Sequence, residues 1–251
     1  MKKFLVPVLA VSFTFALVAS AQMETPGSTV GVNAALSKLF GDVKAFSAKS
    51  EVQVFDQDQK EKVSTPMDFS LLDGKMRVEI DISRMKNKDV SAAAAAGMKQ
   101  LGMDRVVSVI LPDKKASYII FPGMQAYVKM PLPKEDQETY EKNSKLEKTA
   151  LGKETLDGHP CLKNKVVITD DQGRKHEATV WNASDLKDFP VQILTKEKED
   201  TVILRFRQVQ FAGPDAKQFE APADFKAYDD VQSLMQGVMA KMIGSGGAPA
   251  Q

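Results

Sequence analysis

Apolar and polar residues alternate with a period of two along most of the chain, which predicts a β-rich protein. The alternation is clearest at residues 75–82, KMRVEIDI, directly after the turn dipeptide Asp73-Gly74. It recurs at residues 46–54, 67–71, 105–112, 116–122 and 125–132, and again between residues 149 and 211. Because such strands carry one apolar and one solvated side, we expect about ten strands in an antiparallel sheet.

Three segments interrupt this pattern with helical spacing. Residues 34–43 predict a short amphipathic helix, and the alanine-rich residues 89–103 predict a helix inserted between strands. Residues 229–244 carry an apolar stripe with a period near 3.6 and predict a terminal helix with Asp229 as its cap. The charged residues 133–148 lack an apolar side and predict a solvated helix or loop. Near Arg207 the apolar alternation changes phase, which predicts a β-bulge.

The N-terminus has the form of a secretory signal peptide. Lys2 and Lys3 precede an apolar run at 4–18 and a small-residue site, Ala19-Ser20-Ala21. An uncleaved anchor is the alternative, but the run is shorter than the about 20 residues of a membrane span. We therefore expect a signal peptide at 1–21, one domain at 22–243, a disordered tail at 244–251, and a periplasmic or secreted location.

Composition excludes some classes of function. Removal of residues 1–21 takes away two of the 34 basic residues, so 32 remain against 33 acidic ones. A chain so close to neutrality lacks the positive field of a nucleic-acid-binding protein. With 43% hydrophobic residues it can form a sizeable core, and its single cysteine cannot form an internal disulfide.

The segment DGHPC at 157–161 holds that cysteine and one of the two histidines. His159 and Cys161, with His176 as a third ligand, suggest a metal site, and the pair alone suggests a thiol nucleophile. The third interpretation is a turn that leads into a strand and carries a half-buried cysteine. We favour it, because the usual ligand clusters and the common phosphate-loop, serine-hydrolase and zinc-protease motifs are missing. The sequence thus predicts no enzyme, metal or cofactor.

The apolar side of the sheet is wide, whereas the helices that could cover it are short and rich in alanine and methionine. We therefore expect a space between sheet and helices that suits an acyl chain or an apolar peptide. A filled core is the other interpretation. The candidate lining residues are Val78, Ile80, Val90, Met98, Leu101, Leu204, Phe206, Met235 and Met242.

Four segments, at 73–80, 151–167, 178–193 and 219–230, carry a family resemblance. The recurring sequence pattern of these segments is G-x-E-x-x-x-G-x-x-C, followed by VW, DL and FPV. It resembles the LolA/LolB-like lipoprotein carriers, and more closely an uncharacterised secreted bacterial family that shares their fold. The resemblance implies an α+β fold, an antiparallel, strongly curved open half β-barrel of eleven strands with helices in its concave face.

In such carriers the concavity shelters acyl chains of lipoproteins. The carriers also place an arginine beside a proline on an early strand to latch their lid helices, but SLLDGKM at 70–76 has neither residue. We expect an exported protein that holds a lipid, an acyl chain or another apolar ligand, with a lipid-modified protein as a partner. The alternative is an envelope structural or protein-interaction module with a filled core and no ligand.

Overall fold

The computed structural model describes residues 37–87, 90–141, 145–170 and 173–245. The predicted signal peptide at 1–21 lies outside the described residues, and so does the predicted tail from residue 246 onward. The strands are β1 Ala45–Phe55, β2 Glu61–Leu72, β3 Lys75–Asp81, β4 Lys86–Asn87, β5 Arg105–Leu111, β6 Ala116–Phe121, β7 Ala126–Pro131, β8 Lys145–Leu156, β9 His159–Thr169, β10 Lys175–Ala183, β11 Phe189–Glu197, β12 Asp200–Gln210 and β13 Lys226–Tyr228. The helices are α1 Ala92–Gln100, α2 Lys134–Glu141 and α3 Val231–Ser245.

All strands belong to one open sheet, in the order β13-β7-β6-β5-β3-β2-β1-β12-β11-β10-β9-β8, with β4 paired to β2. Every pair is antiparallel except β13 with β7. The described residues form thirteen strands, not the eleven implied by the resemblance, and β4 and β13 are the shortest of them. The α+β fold class with an open, mostly antiparallel sheet is confirmed.

The sheet is strongly curved. Asp157 lies at the tip of the β8–β9 hairpin, yet its carboxylate is 3.1 Å from the guanidinium of Arg207 on β12. Strands β9 and β12 are separated by β10 and β11, so a flat sheet would hold them roughly 14 Å apart. The sheet therefore curls until one end of the hairpin meets β12.

Strand register shows which side chains share the concave face. Directly opposed residues lie on the same side of a sheet, so the pairings define rows across it. One row runs Phe69, Val78, Ser108, Ile119 and Val128 from β2 to β7. The neighbouring row runs Leu71, Met76, Ile110, Ser117 and Met130. The predicted period-two alternation thus places mostly apolar side chains on this face. The expectation of a solvated opposite side is wrong for β5 and β6, because Val107, Val109, Leu111 and Ile120 of that side form a second buried cluster with Phe219.

Turn chemistry fixes the register of the hairpins. Asp73 and Gly74 both have positive φ, 48° and 80°, as do Asp157 and Gly158 at 51° and 87°. Two consecutive residues with positive φ match the twist of adjoining strands, so Asp-Gly is well suited to both turns. The predicted bulge is also confirmed, because Lys49 pairs with Arg207 but Ser47 pairs with Gln210.

The helices agree with the sequence in most respects. Helix α1 lies within the predicted segment, and its cap is Ser91, whose hydroxyl accepts a hydrogen bond from the Ala94 N–H. Of the predicted first helix, the described part is a 3-10 turn at Lys38–Phe40. The predicted helix or loop at 133–148 contains the helix α2 Lys134–Glu141, but β8 already begins at Lys145. The predicted cap of α3 is wrong, because the cap is Asp230, which accepts from the Ser233 N–H at 2.6 Å, and not Asp229.

Five phenylalanines fill the concave side where β1, β2, β11 and β12 meet. Neighbouring ring centroids lie 4.8 to 6.0 Å apart, at the contact distances that favour aromatic pairs. The 3-10 turn contributes one ring and the strands contribute the others: Phe40, Phe46, Phe69, Phe189 and Phe206. This aromatic cluster is the centre of the largest group of buried residues.

We expect Leu204→Ala to lower the free energy of unfolding by about 2–5 kcal/mol, because Leu204 is 2% exposed within this core. Leu151→Ala removes the same atoms from a side chain that is 54% exposed, so it should change stability by less than about 0.5 kcal/mol. Urea unfolding followed by circular dichroism measures both. Equal effects of the two substitutions would contradict the assignment of the core.

Candidate functional site

The concave face has a closed half and a half that is more loosely covered. Val78, Leu204 and Phe206, three of the candidate lining residues, are almost fully buried in the closed half with the aromatic cluster. The surfaces of Val78 and Leu204 are occupied by the protein's own side chains, so a ligand that reached them would have to displace phenylalanine rings. Phe206 packs in the same cluster and also lines the pocket described below.

The second half lies where α3 covers β6 and β7. Leu234 of α3 is fully buried against Phe121, Ala126 and Val128. Around this small centre the apolar side chains are only partly buried, and four of them are methionines: Met103, Val106, Ile119, Met124, Met130, Met235 and Val238. We call this set the methionine-rich surface. Its members are flexible or partly solvated, unlike the aromatic cluster.

The remaining candidates lie in different places. Met235 belongs to the methionine-rich surface, and half-buried Ile80 packs against the edge of the main core. Val90, Met98 and Leu101 are half-buried around α1, a helix that buries none of its side chains fully. Met242 lies in α3, but its side chain is outside the described set. Of the eight candidates whose side chains the structure describes, three lie in the closed half, Met235 lies on the methionine-rich surface, Ile80 packs against the main core and three lie around α1.

Within residues 231–240, helix α3 buries few of its side chains. Leu234 is its one fully buried side chain among residues 231–240, while Val231 and Met239 are 43% and 52% exposed. Gly237 lies against the Tyr228 side chain so closely that an added Cβ would stand 2.6 Å from the phenol oxygen. Glycine at this position permits the close approach of helix and β13.

Sequence reasoning missed two buried hydroxyls on the concave face. Thr65 pairs with Val52, and Ser117 lies between Ile110 and Met130. Both side-chain oxygens are buried and have no hydrogen-bond partner among the described residues. The signal was present in the sequence, because each occupies an inward position in a strand whose other inward residues are mostly apolar.

A shallow pocket of about 150 Å³ lies between the β8–β9 hairpin tip and the bulge of β12. Its lining residues are Leu156, Asp157, His159, Val191, Phe206, Arg207 and Gln208. The carboxylates of Asp157 and Glu51 each lie 3.1 Å from Arg207, and His159 Nδ1 lies 2.8 Å from the Asp185 carboxylate. These polar pairs attach the hairpin tip to its surroundings.

The geometry around Cys161 is that of a structural residue. Its thiol is buried and donates to the His159 carbonyl oxygen at 3.3 Å, not to the imidazole. Burial raises the pKa of the Cys161 thiol, and a protonated thiol is a poor nucleophile and a poor metal ligand. His176 pairs with Ile168 whereas Cys161 pairs with Ala183, so the strands hold them roughly 23 Å apart. Within the described ranges, no three potential ligands form a metal-binding group.

Comparison with known proteins identifies relatives by family and by fold. A model of the domain of unknown function DUF4412 matches residues 57–189. No curated protein matches the chain. No helix in the described part of the chain has both the length and the apolar character required to cross a membrane.

Several solved structures are similar at low sequence identity. A LolA superfamily protein from Nitrosomonas europaea is 8% identical, with 74% of this chain and 94% of that chain covered and a TM-score of 0.38. The lipoprotein LppX of Mycobacterium tuberculosis is 14% identical, with 70% and 91% covered and a TM-score of 0.37. MucB in its complex with MucA from Pseudomonas aeruginosa is among the matches at 14% identity, with 77% and 61% covered and a TM-score of 0.37. The predicted resemblance, to the LolA-like group and to an uncharacterised family, is confirmed.

We expect Cys161 to react with a disulfide reagent at least about tenfold more slowly in the folded protein than in urea, because burial disfavours the thiolate. Since Cys161 is the sole cysteine, the absorbance of the thiolate released from the reagent measures the reaction of Cys161 alone. The Cys161→Ser variant measures the background absorbance. Equal rates in the folded and unfolded protein would restore the reactive-thiol interpretation.

Proposed function

The chain belongs to the family of the domain of unknown function DUF4412, and on this premise we propose that it binds an apolar ligand, a lipid or an acyl chain, on the methionine-rich surface beneath α3. The proposal includes an exported, extracytoplasmic location, for which the basic and apolar pattern of residues 2–21 is the support. It assigns the protein to binding and not to catalysis.

The observation that carries the proposal is the contrast between the two halves of the concave face. Ile119, Met130 and Met235 are partly buried around a helix that buries only Leu234 fully among residues 231–240. Partly exposed apolar area is unfavourable in water, and covering it with a ligand contributes roughly 25 cal/mol per Å². Methionine side chains can change rotamer to fit a chain of irregular shape.

The weak attachment of α3 supports access to this surface. Within residues 231–240, this helix buries one leucine fully, packs Met235 and Val238 only partly, and contacts Tyr228 closely through Gly237. Segments with few buried contacts open at low free-energy cost, as ligand-binding elements generally do. Helix α3 is thus suited to move aside and close over an apolar chain.

The aromatic cluster favours a second candidate function, a structural or protein-interaction module without a ligand. Phe46, Phe69 and Phe189 are fully buried, so the interior of the closed half is occupied. On this alternative the partly exposed methionines are ordinary flexible core residues at the edge of the sheet. The two functions differ in one measurable property, which is whether the methionine-rich surface binds an apolar molecule.

We expect wild-type protein to increase the fluorescence of N-phenyl-1-naphthylamine, and Met235→Glu to weaken this binding at least about tenfold, because a carboxylate would have to be desolvated against the probe. Gln236→Glu adds the same charge at the next, exposed residue of α3 and should change the affinity less than about twofold. Circular dichroism confirms that both variants fold.

Native mass spectrometry of protein extracted from its host under mild conditions provides an independent test. Under the proposal, an adduct with the mass of a lipid accompanies the wild-type protein and is depleted in Met235→Glu. Absence of both the adduct and the fluorescence increase would leave the ligand-free module as the function.

A further inference from the structure

Two hydroxyls on the concave face are placed where alanine or valine would be expected. Ser117 is 2% exposed and Thr65 is 1% exposed, and neither side-chain oxygen has a hydrogen-bond partner among the described residues. An unpaired buried hydroxyl lowers the free energy of unfolding. If stability alone determined the residue at this position, an apolar residue of similar size would be favoured. A hydroxyl in such a place is suited to pair with a ligand.

Ser117 lies beside the surface to which we assign ligand binding. Its register neighbours are Ile110 on β5 and Met130 on β7, and Met130 belongs to the methionine-rich surface. Met130 is half-buried and flexible, so a change in its rotamer would bring a bound chain next to the Ser117 hydroxyl. Thr65 is different, because its neighbour Val52 belongs to the closed half with the aromatic cluster.

The surroundings of Ser117 restrict the chemistry of its partner. Ile110, Met130 and the next inward residue of the same strand, Ile119, are all apolar. A phosphate or a carboxylate would have to lose its hydration here without a countercharge, which is strongly unfavourable. A neutral acceptor attached to hydrocarbon has no such cost, and the carbonyl oxygen of an acyl ester is one.

We propose that the Ser117 hydroxyl donates a hydrogen bond to the ester carbonyl of a bound acyl chain, so that the protein prefers acyl esters to hydrocarbon or ether chains. This inference rests on the proposed function and specifies its ligand. Membrane glycerolipids and the diacylglyceryl group of a lipidated protein share this ester chemistry.

A matched pair of lipids tests the preference. Palmitoyl lysophosphatidylcholine and its hexadecyl ether analogue differ at the carbonyl, and each can displace N-phenyl-1-naphthylamine below its micelle concentration. We expect wild-type protein to bind the ester about 5- to 10-fold more tightly than the ether. Ser117→Ala should remove this preference by weakening ester binding alone. Stronger displacement by a synthetic diacylated lipopeptide than by the lysolipid ester would identify the lipidated protein as the source, and the reverse would identify membrane lipid.

Thr65→Val is the control, since it removes the other unpaired hydroxyl and should leave the ester preference intact. Ser117→Ala should also be at least as stable to urea as the wild type, because it removes an unpaired buried hydroxyl. Equal binding of ester and ether by wild-type protein, or a large loss of stability in Ser117→Ala, would overturn the inference. If the naphthylamine probe binds while the ester preference is absent, the proposed function survives and only this inference fails.

Discussion

The pairing of β1 with β12 is the constraint on which the rest of the structure depends. Strands β2 to β7 and β13 lie on the β1 side of this pair, and strands β8 to β11 lie on the β12 side, so it alone joins the two parts of the sheet. The five phenylalanines pack over this seam, and Phe46 and Phe206 come from its two strands. Long-range strand pairing costs chain entropy, and burial of large aromatic side chains at the seam offsets that cost.

Dense packing at this seam explains why the two halves of the concave face differ. Side chains near the seam are packed from both parts of the chain and are fully buried, as Phe69 and Leu204 are. Towards β7 the sheet is covered chiefly by α3, which follows the short parallel strand β13. Stability is therefore concentrated at the seam, and the region of lower stability lies where binding is proposed.

The sequence predicted local features well because each depends on neighbouring residues. Alternation identified the strands, Asp73-Gly74 the hairpin, and the phase change near Arg207 the bulge. Periodicity could not show that Leu204 is buried in the core whereas Met235 is only partly buried, because both residues occupy apolar positions of a periodic pattern. That difference depends on which strands become neighbours, a long-range property. The inward position of Ser117 could be predicted from the alternation, but the lack of a hydrogen-bond partner for its hydroxyl depends on the side chains that surround it.

The chemically suggestive segment at 157–161 also has a structural explanation. Asp157 and Gly158 form the hairpin turn, and the Asp157 carboxylate joins Arg207, which Glu51 also contacts, so the turn ties β9 to the seam strands β1 and β12. Cys161 fills buried space at the start of β9, and Asp185 holds the His159 ring in place. These contacts stabilise the curvature of the open sheet, and burial raises the pKa of the Cys161 thiol, which disfavours the nucleophilic thiolate. The surface proposed to bind the ligand is apolar, so the specificity proposed for it depends on a few polar atoms such as the Ser117 hydroxyl.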